Sequence, residues 1–138
     1  MKRAYRLGVD PVWWVAVSLY ALHRLLSPWL REWEPQFVTF YFRDFLFIPA
    51  LLPLLLAFES QLGLRPKGVA PSSWEILLHL VIWSLICEWV GPFALGMGVA
   101  DPWDVAAYAG GALVAGLVWR TCYSSGNTNP LTQPLTSS

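Results

Sequence analysis

The chain has 138 residues, of which 56% are hydrophobic and 13% are charged, and its formal net charge is zero. A soluble domain carries roughly 25% charged residues, so this composition excludes an ordinary water-soluble globule, and the zero net charge gives no support to nucleic-acid binding. Nine Trp and five Tyr favour a bilayer, because amphipathic rings gather at the headgroup level. We therefore predict an all-α, polytopic membrane protein.

Four apolar segments follow one another along the chain, and each predicts a transmembrane helix. They cover residues 11–26, 41–62, 73–93 and 102–119. The first is shorter than the roughly 20 residues that span a bilayer, and the basic stretch before it resembles the start of a signal peptide. No small-residue cleavage site follows, so we interpret this segment as a retained helix. Residues 1–123 are thus predicted to form a bundle of about four helices.

Short capping motifs mark the predicted helix boundaries. The motifs are Asp10-Pro11, Ser72 with Glu75, Asp101-Pro102 with Asp104, and Gly63 at the end of the second helix. An oxygen-bearing side chain before a helix accepts from its first free N–H groups, and glycine readily ends a helix. Pro49 and Pro53 lie inside the second helix, where they free backbone carbonyls and predict a bend.

The basic residues are distributed unequally between the two ends of this bundle. The end that carries the N-terminus has six of them (Lys2, Arg3, Arg6, Arg65, Lys67 and Arg120), and the other end has Arg24, Arg31 and Arg43. Because basic residues are enriched on the cytoplasmic side, this predicts a multi-pass protein of the bacterial inner membrane with both termini in the cytoplasm. Residues 124–138 lack apolar periodicity and predict a disordered tail.

The same topology brings polar residues from distant positions to one membrane level. The candidate ligand-binding residues there are Arg43, Asp44, Glu88, Asp101, Asp104 and Tyr108. Arg43 either forms a weak surface ion pair with Asp44, or holds the acidic cluster or an anionic headgroup. His23 and Arg24 are expected to extend from a helix end into the headgroups.

Glu88 is the most informative of these residues. It lies in an otherwise apolar run, about one turn before Pro92. Carboxylates within a membrane are costly, and they usually pair or face a wet cavity. Two interpretations stay open: Glu88 is a ligand or proton site whose nearest partner is Arg43 or Asp104, or it is a structural residue near the headgroups or paired for packing.

Asp101 and Asp104 also have two interpretations, because helix capping alone explains their type and spacing. Small residues continue the face of Asp104, and Ala107 with Gly111, like Ala112 with Gly116, has the spacing of close helix contacts. We prefer bundle packing as the role of these glycines.

Glu59 is expected to be solvated at the opposite end. Glu75 and His79 share one face, but two ligands are too few for a metal, so the sequence predicts neither a metal nor a cofactor.

One stretch carries a family resemblance. Glu88-Trp-Val-Gly-Pro92, followed by Asp101-Pro-Trp-Asp104-Val-Ala-Ala-Tyr108-Ala-Gly-Gly111, resembles the end of VanZ-like bacterial membrane proteins, and the resemblance extends over about residues 41–119. Tyr108 stands where that family has Asn, and the family's loop Arg is absent, which places the chain in an outlying branch. The resemblance implies a role in the bacterial envelope; one branch of the family is associated with tolerance to a glycopeptide antibiotic.

Three functions are compatible with these features. The first is a binding or accessory protein that presents the polar cluster to an envelope lipid, an ion or a partner membrane protein. The second is a small ion- or proton-coupled transporter, or a subunit of one, which with four helices would act as a homo-oligomer. The third is a membrane enzyme with paired acids, which the sequence permits without indicating it, and nucleophilic catalysis has no sequence support.

Overall fold

The computed structural model describes residues 4–96 and 98–123. This part of the chain is an all-helical bundle, as predicted. Its elements are a 3-10 turn (Leu7–Val9), α1 (Pro11–Leu30), α2 (Gln36–Gln61), α3 (Ser73–Leu85) with a π-helical continuation (Ile86–Ala94), and α4 (Pro102–Cys122). The predicted tail, 124–138, lies outside the described residues.

Three of the helices are long and apolar enough to cross a membrane. They are α2, α3 together with its π-helical continuation, and α4. The helix α1 has 20 residues but is not among the three. It ends at Leu30 instead of about residue 26, and α2 begins at Gln36 instead of about residue 41. The helix therefore runs about one turn past its predicted end.

The three predicted helix caps at the N-termini are present. The Asp10 side chain accepts from the Val12 N–H at 3.0 Å, which starts α1. Ser72 and Glu75 form a reciprocal capping box at the start of α3. At the start of α4, Asp101 accepts from the Trp103 N–H. These contacts satisfy N–H groups that a helix leaves without intrahelical partners.

The end of α2 confirms the predicted glycine cap. Gly63 has φ +76°, a conformation that side chains with a Cβ rarely adopt. The Leu64 N–H donates to the Glu59 carbonyl at 3.0 Å and the Gly63 N–H to the Ser60 carbonyl at 3.3 Å. This is the Schellman pattern, which ends the helix and turns the chain toward α3.

The antiparallel helices give the bundle two ends. The Asp10 end holds the start of α1, the end of α2, the start of α3 and the end of α4. The Asp104 end holds the end of α1, the start of α2, the π-helical segment and the start of α4. As expected from the sequence, Asp44, Glu88, Asp101 and Asp104 belong to elements that meet at the Asp104 end.

Close packing of α2 on α4 forms the centre of the bundle. A Cβ built at Gly111 would lie 1.8 Å from the Phe45 carbonyl oxygen, so only glycine allows this approach. Pro49 has no N–H to donate to that carbonyl four residues earlier, and a Gly111 Cα–H points at it instead, in the manner of weak Cα–H···O contacts. Gly116 similarly faces Ile76 of α3 at 3.2 Å. The predicted packing role of these glycines is confirmed.

The outer surface of the bundle is apolar. Neither α3 nor its π-helical continuation contains a residue of the buried class, although both are rich in large apolar side chains. Contiguous exposed apolar surface of this extent is unusual for a soluble monomer. Lipid chains solvate such a surface directly, which supports a membrane-embedded protein.

Candidate functional site

Asp101 is the point at which three elements meet at the Asp104 end. Its backbone N–H donates to Glu88 Oε2 at 2.6 Å, and its side chain accepts from the Tyr41 hydroxyl at 3.0 Å and from the Trp103 N–H at 2.9 Å. Asp101 therefore caps α4 and also connects it to α2 and to the π-helical segment. The capping interpretation of Asp101 is therefore confirmed, and its contacts to two other elements are an addition that the sequence did not specify.

Glu88 takes the place that the sequence assigned to Asp104. In a capping box the acid at the third helical position bonds the N–H of the cap residue, but at α4 this N–H is bonded by Glu88 from another element. Glu88 lies in a π-helical stretch that also contains Pro92, and such stretches are frequent at functional sites. The Asp104 side chain is consequently not engaged in capping.

Asp44 of α2 and Asp104 of α4 lie close enough for their carboxyl groups to interact directly across the α2–α4 interface. Two carboxyl groups at such range can share a proton, because a protonated carboxyl group donates and an ionised one accepts. The glycine at position 111, two turns along α4, permits the close approach of the helices that this contact requires. The pair can hold a proton, or can give it up and accept from a cationic or hydroxyl-bearing ligand.

Tyr108 lies beneath the carboxyl groups. It is 5% exposed, its ring packs against Phe47 at a centroid distance of 5.5 Å, and it lies near Cys87 of the π-helical segment. Ser84 Oγ, one turn before Glu88, is buried and has no hydrogen-bond partner within residues 4–96 and 98–123. Toward the middle of the bundle, the acidic cluster is therefore followed by an aromatic residue, Tyr108, and a polar one, Ser84.

Arg43 is not placed as one sequence interpretation expected. Its Nε donates to the Thr39 carbonyl at 3.2 Å, and its guanidinium lies 5.5 Å from the centre of the Phe40 ring. No carboxylate of the described residues lies within 4 Å of it, although Asp44 is within electrostatic reach. The expectation that Arg43 or Asp104 is the nearest partner of Glu88 is wrong, since Glu88 bonds the Asp101 backbone.

One further expectation needs correction, and another needs an addition. His23 does not extend into the headgroups: it is 7% exposed, with Nε2 3.2 Å from Glu34 Oε2 and its ring 5.1 Å from that of Phe42. Glu59, expected to be solvated, keeps 36% of its side chain exposed and also lies 3.6 Å from His79 Nε2. In both cases the partner comes from outside the histidine's own turn, so that no local pattern reveals it.

No metal centre is formed in the part of the chain that the structure describes, where no group of three or more His, Cys, Asp or Glu could hold an ion. The face that carries Glu75 and His79 is used differently. Glu75 forms a two-pronged ion pair with Arg65, at 2.5 and 3.1 Å, and Arg65 also donates to the carbonyls of Val69 and Ala70. This arrangement fixes the loop between α2 and α3.

A second polar centre, which the sequence did not reveal, lies at the Asp10 end. The Asp10 side chain is fully buried and accepts from the Tyr5 hydroxyl and from Trp119 Nε1, each at 2.9 Å, as well as from the Val12 N–H. Burial, followed by the charge of Asp10, raises the pKa of Tyr5, which keeps this hydroxyl a donor. Trp119 is 109 positions from Asp10, so only the folded chain brings them together.

Four carboxyl groups from α2, α4 and the π-helical segment thus share one end of the bundle. Like charges at close range are unfavourable unless protons, ligands or cations offset them, and hydrogen bonds to ionised carboxylates are among the strong ones. Such a cluster can hold a proton, an ammonium group or hydroxyl groups. Comparisons with protein-family models, with curated proteins and with solved structures find no match for this chain.

Proposed function

We propose that this chain is a membrane-embedded binding protein of the bacterial envelope, an outlying relative of the VanZ-like proteins. Its carboxylate cluster (Asp44, Glu88, Asp101 and Asp104) binds a cationic or hydrogen-bond-donating group of an envelope lipid, an ion or a partner membrane protein. The bundle lies in the cytoplasmic membrane with both termini in the cytoplasm. In that orientation a reporter fused after Lys67 is cytoplasmic, and a periplasmic signal from it contradicts this part of the proposal.

One observation carries the proposal. In the described part of the chain no Lys, Arg or His lies within 4 Å of any of the four carboxyl groups. By contrast, Glu34 and Glu75 each have a basic partner. Intramembrane acids without a basic partner are rare, and ionisable groups inside a membrane usually mark a ligand or ion site. The cluster therefore has the charge and the free acceptor capacity to bind an ammonium headgroup.

Glu88→Gln tests this function, because it removes one charge while an amide oxygen can still accept from the Asp101 N–H. The probes are dihexanoyl phosphatidylethanolamine, which carries an ammonium group, and dihexanoyl phosphatidylglycerol, which does not. We expect the detergent-solubilised protein to prefer the ethanolamine lipid, and Glu88→Gln to reduce that preference by about tenfold or more, as expected for the loss of a hydrogen bond to a charged group. Titration calorimetry measures both affinities.

Glu59→Gln is the matched control, since it makes the same change at the Asp10 end, where Glu59 faces His79. It is expected to leave the lipid preference unaltered. The proposal is refuted if the folded Glu88→Gln variant keeps the full preference, or if the unmodified protein shows none.

A proton-coupled transporter, or a subunit of one acting as an oligomer, is the second candidate. The Asp44–Asp104 pair favours it, because two neighbouring carboxyl groups between two helices can share and release a proton. Proteoliposomes loaded with a pH-sensitive dye separate the two candidates. Proton flux that Asp44→Asn abolishes would support transport, and its absence would leave binding alone.

A further inference from the structure

A pocket at the corner between α1 and α2, at the Asp104 end, is lined by three arginines. Arg24 belongs to α1, Arg31 follows its last turn, and Arg43 belongs to α2. The pocket has a volume of about 330 Å³. Liquid water occupies roughly 30 Å³ per molecule, so a phosphate group and several water molecules fit. We call this cavity the arginine pocket.

The three arginines of the arginine pocket outnumber its carboxylates. Glu34 is the one carboxylate among its described lining residues, and its Oε2 faces His23 Nε2 at 3.2 Å. None of the three arginines has a carboxylate within 4 Å in the described ranges. Arginine forks bind phosphate oxygens through two parallel N–H···O bonds, so three such groups around one cavity favour a phosphate-bearing anion.

The start of α2 adds to this positive field. Pro35 precedes the helix without a side-chain cap, and the first turn contains no acidic residue, whereas α1, α3 and α4 all begin with a capping side chain. Gln36, the first residue of this 26-residue helix, lines the arginine pocket. The positive end of the helix dipole therefore lies at the cavity, where it stabilises an anion.

Exposed aromatic side chains place the arginine pocket at the membrane surface. Trp29, Trp33 and Phe37, on both sides of the α1–α2 turn, are 74%, 86% and 63% exposed. Aromatic rings of this kind sit at the headgroup level of a bilayer. An anion that is bound beside them is at the depth of the lipid phosphates.

We propose that the arginine pocket binds a phosphate-bearing anion, either the phosphate of a lipid headgroup or a free phosphate. The site goes beyond the proposed function, since it recognises the opposite charge and uses none of the four carboxyl groups. Its two sources share one chemistry: non-bridging phosphate oxygens accept from the Arg24, Arg31 and Arg43 guanidinium groups and from the start of α2.

The test compares three probes on the detergent-solubilised full chain: dihexanoyl phosphatidylglycerol, dihexanoylglycerol, which has no phosphate, and inorganic phosphate. We expect phosphatidylglycerol to bind and dihexanoylglycerol not to bind. Arg24→Gln with Arg43→Gln should weaken binding by at least about tenfold, since each removes charge-assisted hydrogen bonds. Competition by inorganic phosphate at similar concentrations identifies free phosphate as the source, and its absence identifies a lipid.

The control variant Arg6→Gln with Lys67→Gln removes the same charge from exposed residues at the Asp10 end. Equal losses in both double variants would show non-specific attraction and overturn the proposal, as would unaltered binding in the Arg24–Arg43 variant. If that variant is not recovered folded, Arg24→Gln or Arg31→Gln alone, at exposed positions, carries the same test. Because the readout is phosphate affinity and not ethanolamine preference, failure here leaves the carboxylate function unaffected.

Discussion

Gly111→Ala is expected to destabilise the bundle by about 3 kcal/mol or more, at or beyond the upper end of ordinary overpacking costs. The added Cβ would lie 1.8 Å from the Phe45 carbonyl oxygen, and a backbone atom cannot move aside as a flexible side chain does. The helices α2 and α4 must therefore separate or shift, which also removes Asp104 from its contact with Asp44. Denaturation in detergent micelles, followed by circular dichroism, measures the loss.

Gly110→Ala is the matched control for this substitution. Its Cβ would approach only the Phe45 ring, at 3.4 Å, which is ordinary contact. Alanine is the better helix former by about 1 kcal/mol, so this variant is expected to be as stable as the unmodified protein or slightly more stable. Equal stability of the two alanine variants would contradict the close α2–α4 packing.

Asp10→Leu is expected to cost about 3–5 kcal/mol of stability, the range for removing one partner from a buried charged network. The substitution removes the cap of α1 and leaves the Tyr5 hydroxyl and the Trp119 indole N–H without the acceptor that they share. Each unsatisfied buried donor costs about 1–3 kcal/mol. Thermal unfolding in detergent measures the effect, and the loss should appear without any change in lipid binding at the Asp104 end.

The Ser72→Ala variant, which removes an exposed cap at α3, measures how much the loss of a helix cap alone costs in stability. That change should cost about 1 kcal/mol. Adding Trp119→Phe to Asp10→Leu removes one of the two donors that Asp10→Leu leaves without an acceptor. The double variant should therefore lose less stability than the sum of the two single variants. A cost for Asp10→Leu no larger than that for Ser72→Ala would disprove the role of the buried network.

Features that depend on neighbouring residues were predictable from the sequence. The caps at Asp10, Ser72 and Asp101 need only an oxygen-bearing side chain within three residues of an N–H group. The apolar segments and their alternating direction place Asp44, Glu88 and Asp104 on elements of one end, and the small residues of α4 indicate close packing. These statements require periodicity and spacing, but no knowledge of which atoms meet.

The pairings inside each centre were not predictable in the same way. The acceptor of the Asp101 N–H is Glu88, 13 positions earlier, and a local capping rule selects Asp104 instead. The sequence shows that Pro49 cannot donate to the Phe45 carbonyl. It does not show that Gly111 packs against this carbonyl. Such contacts depend on the rotation and depth of each helix, which hydrophobic patterns determine only coarsely.

The first helix shows how a distant partner alters a local interpretation. His23 and Arg24 have the appearance of a polar helix end, and His23 was expected in the headgroups. In the folded chain Glu34, from the turn before α2, supplies a partner for His23, and the ring of Phe42 covers it. Nε2 of the imidazole thus has its partner within the bundle, whereas the buried Nδ1 has none among the described residues, and α1 continues to Leu30.

The central claim of this account is that α2 and α4 bring the carboxyl groups of Asp44 and Asp104 together at one end of the bundle. Cysteine cross-linking in native membranes tests it most directly. In a Cys87→Ser, Cys122→Ser background, the pair Asp44→Cys with Asp104→Cys is treated with a short bifunctional thiol reagent, and mass spectrometry of proteolytic fragments detects the link. The control pair joins Asp44→Cys to Thr121→Cys, at the opposite end of α4. We expect an intramolecular link in the first pair and none in the control. Absence of a link in the first pair, or equal linking in both, would contradict the claim.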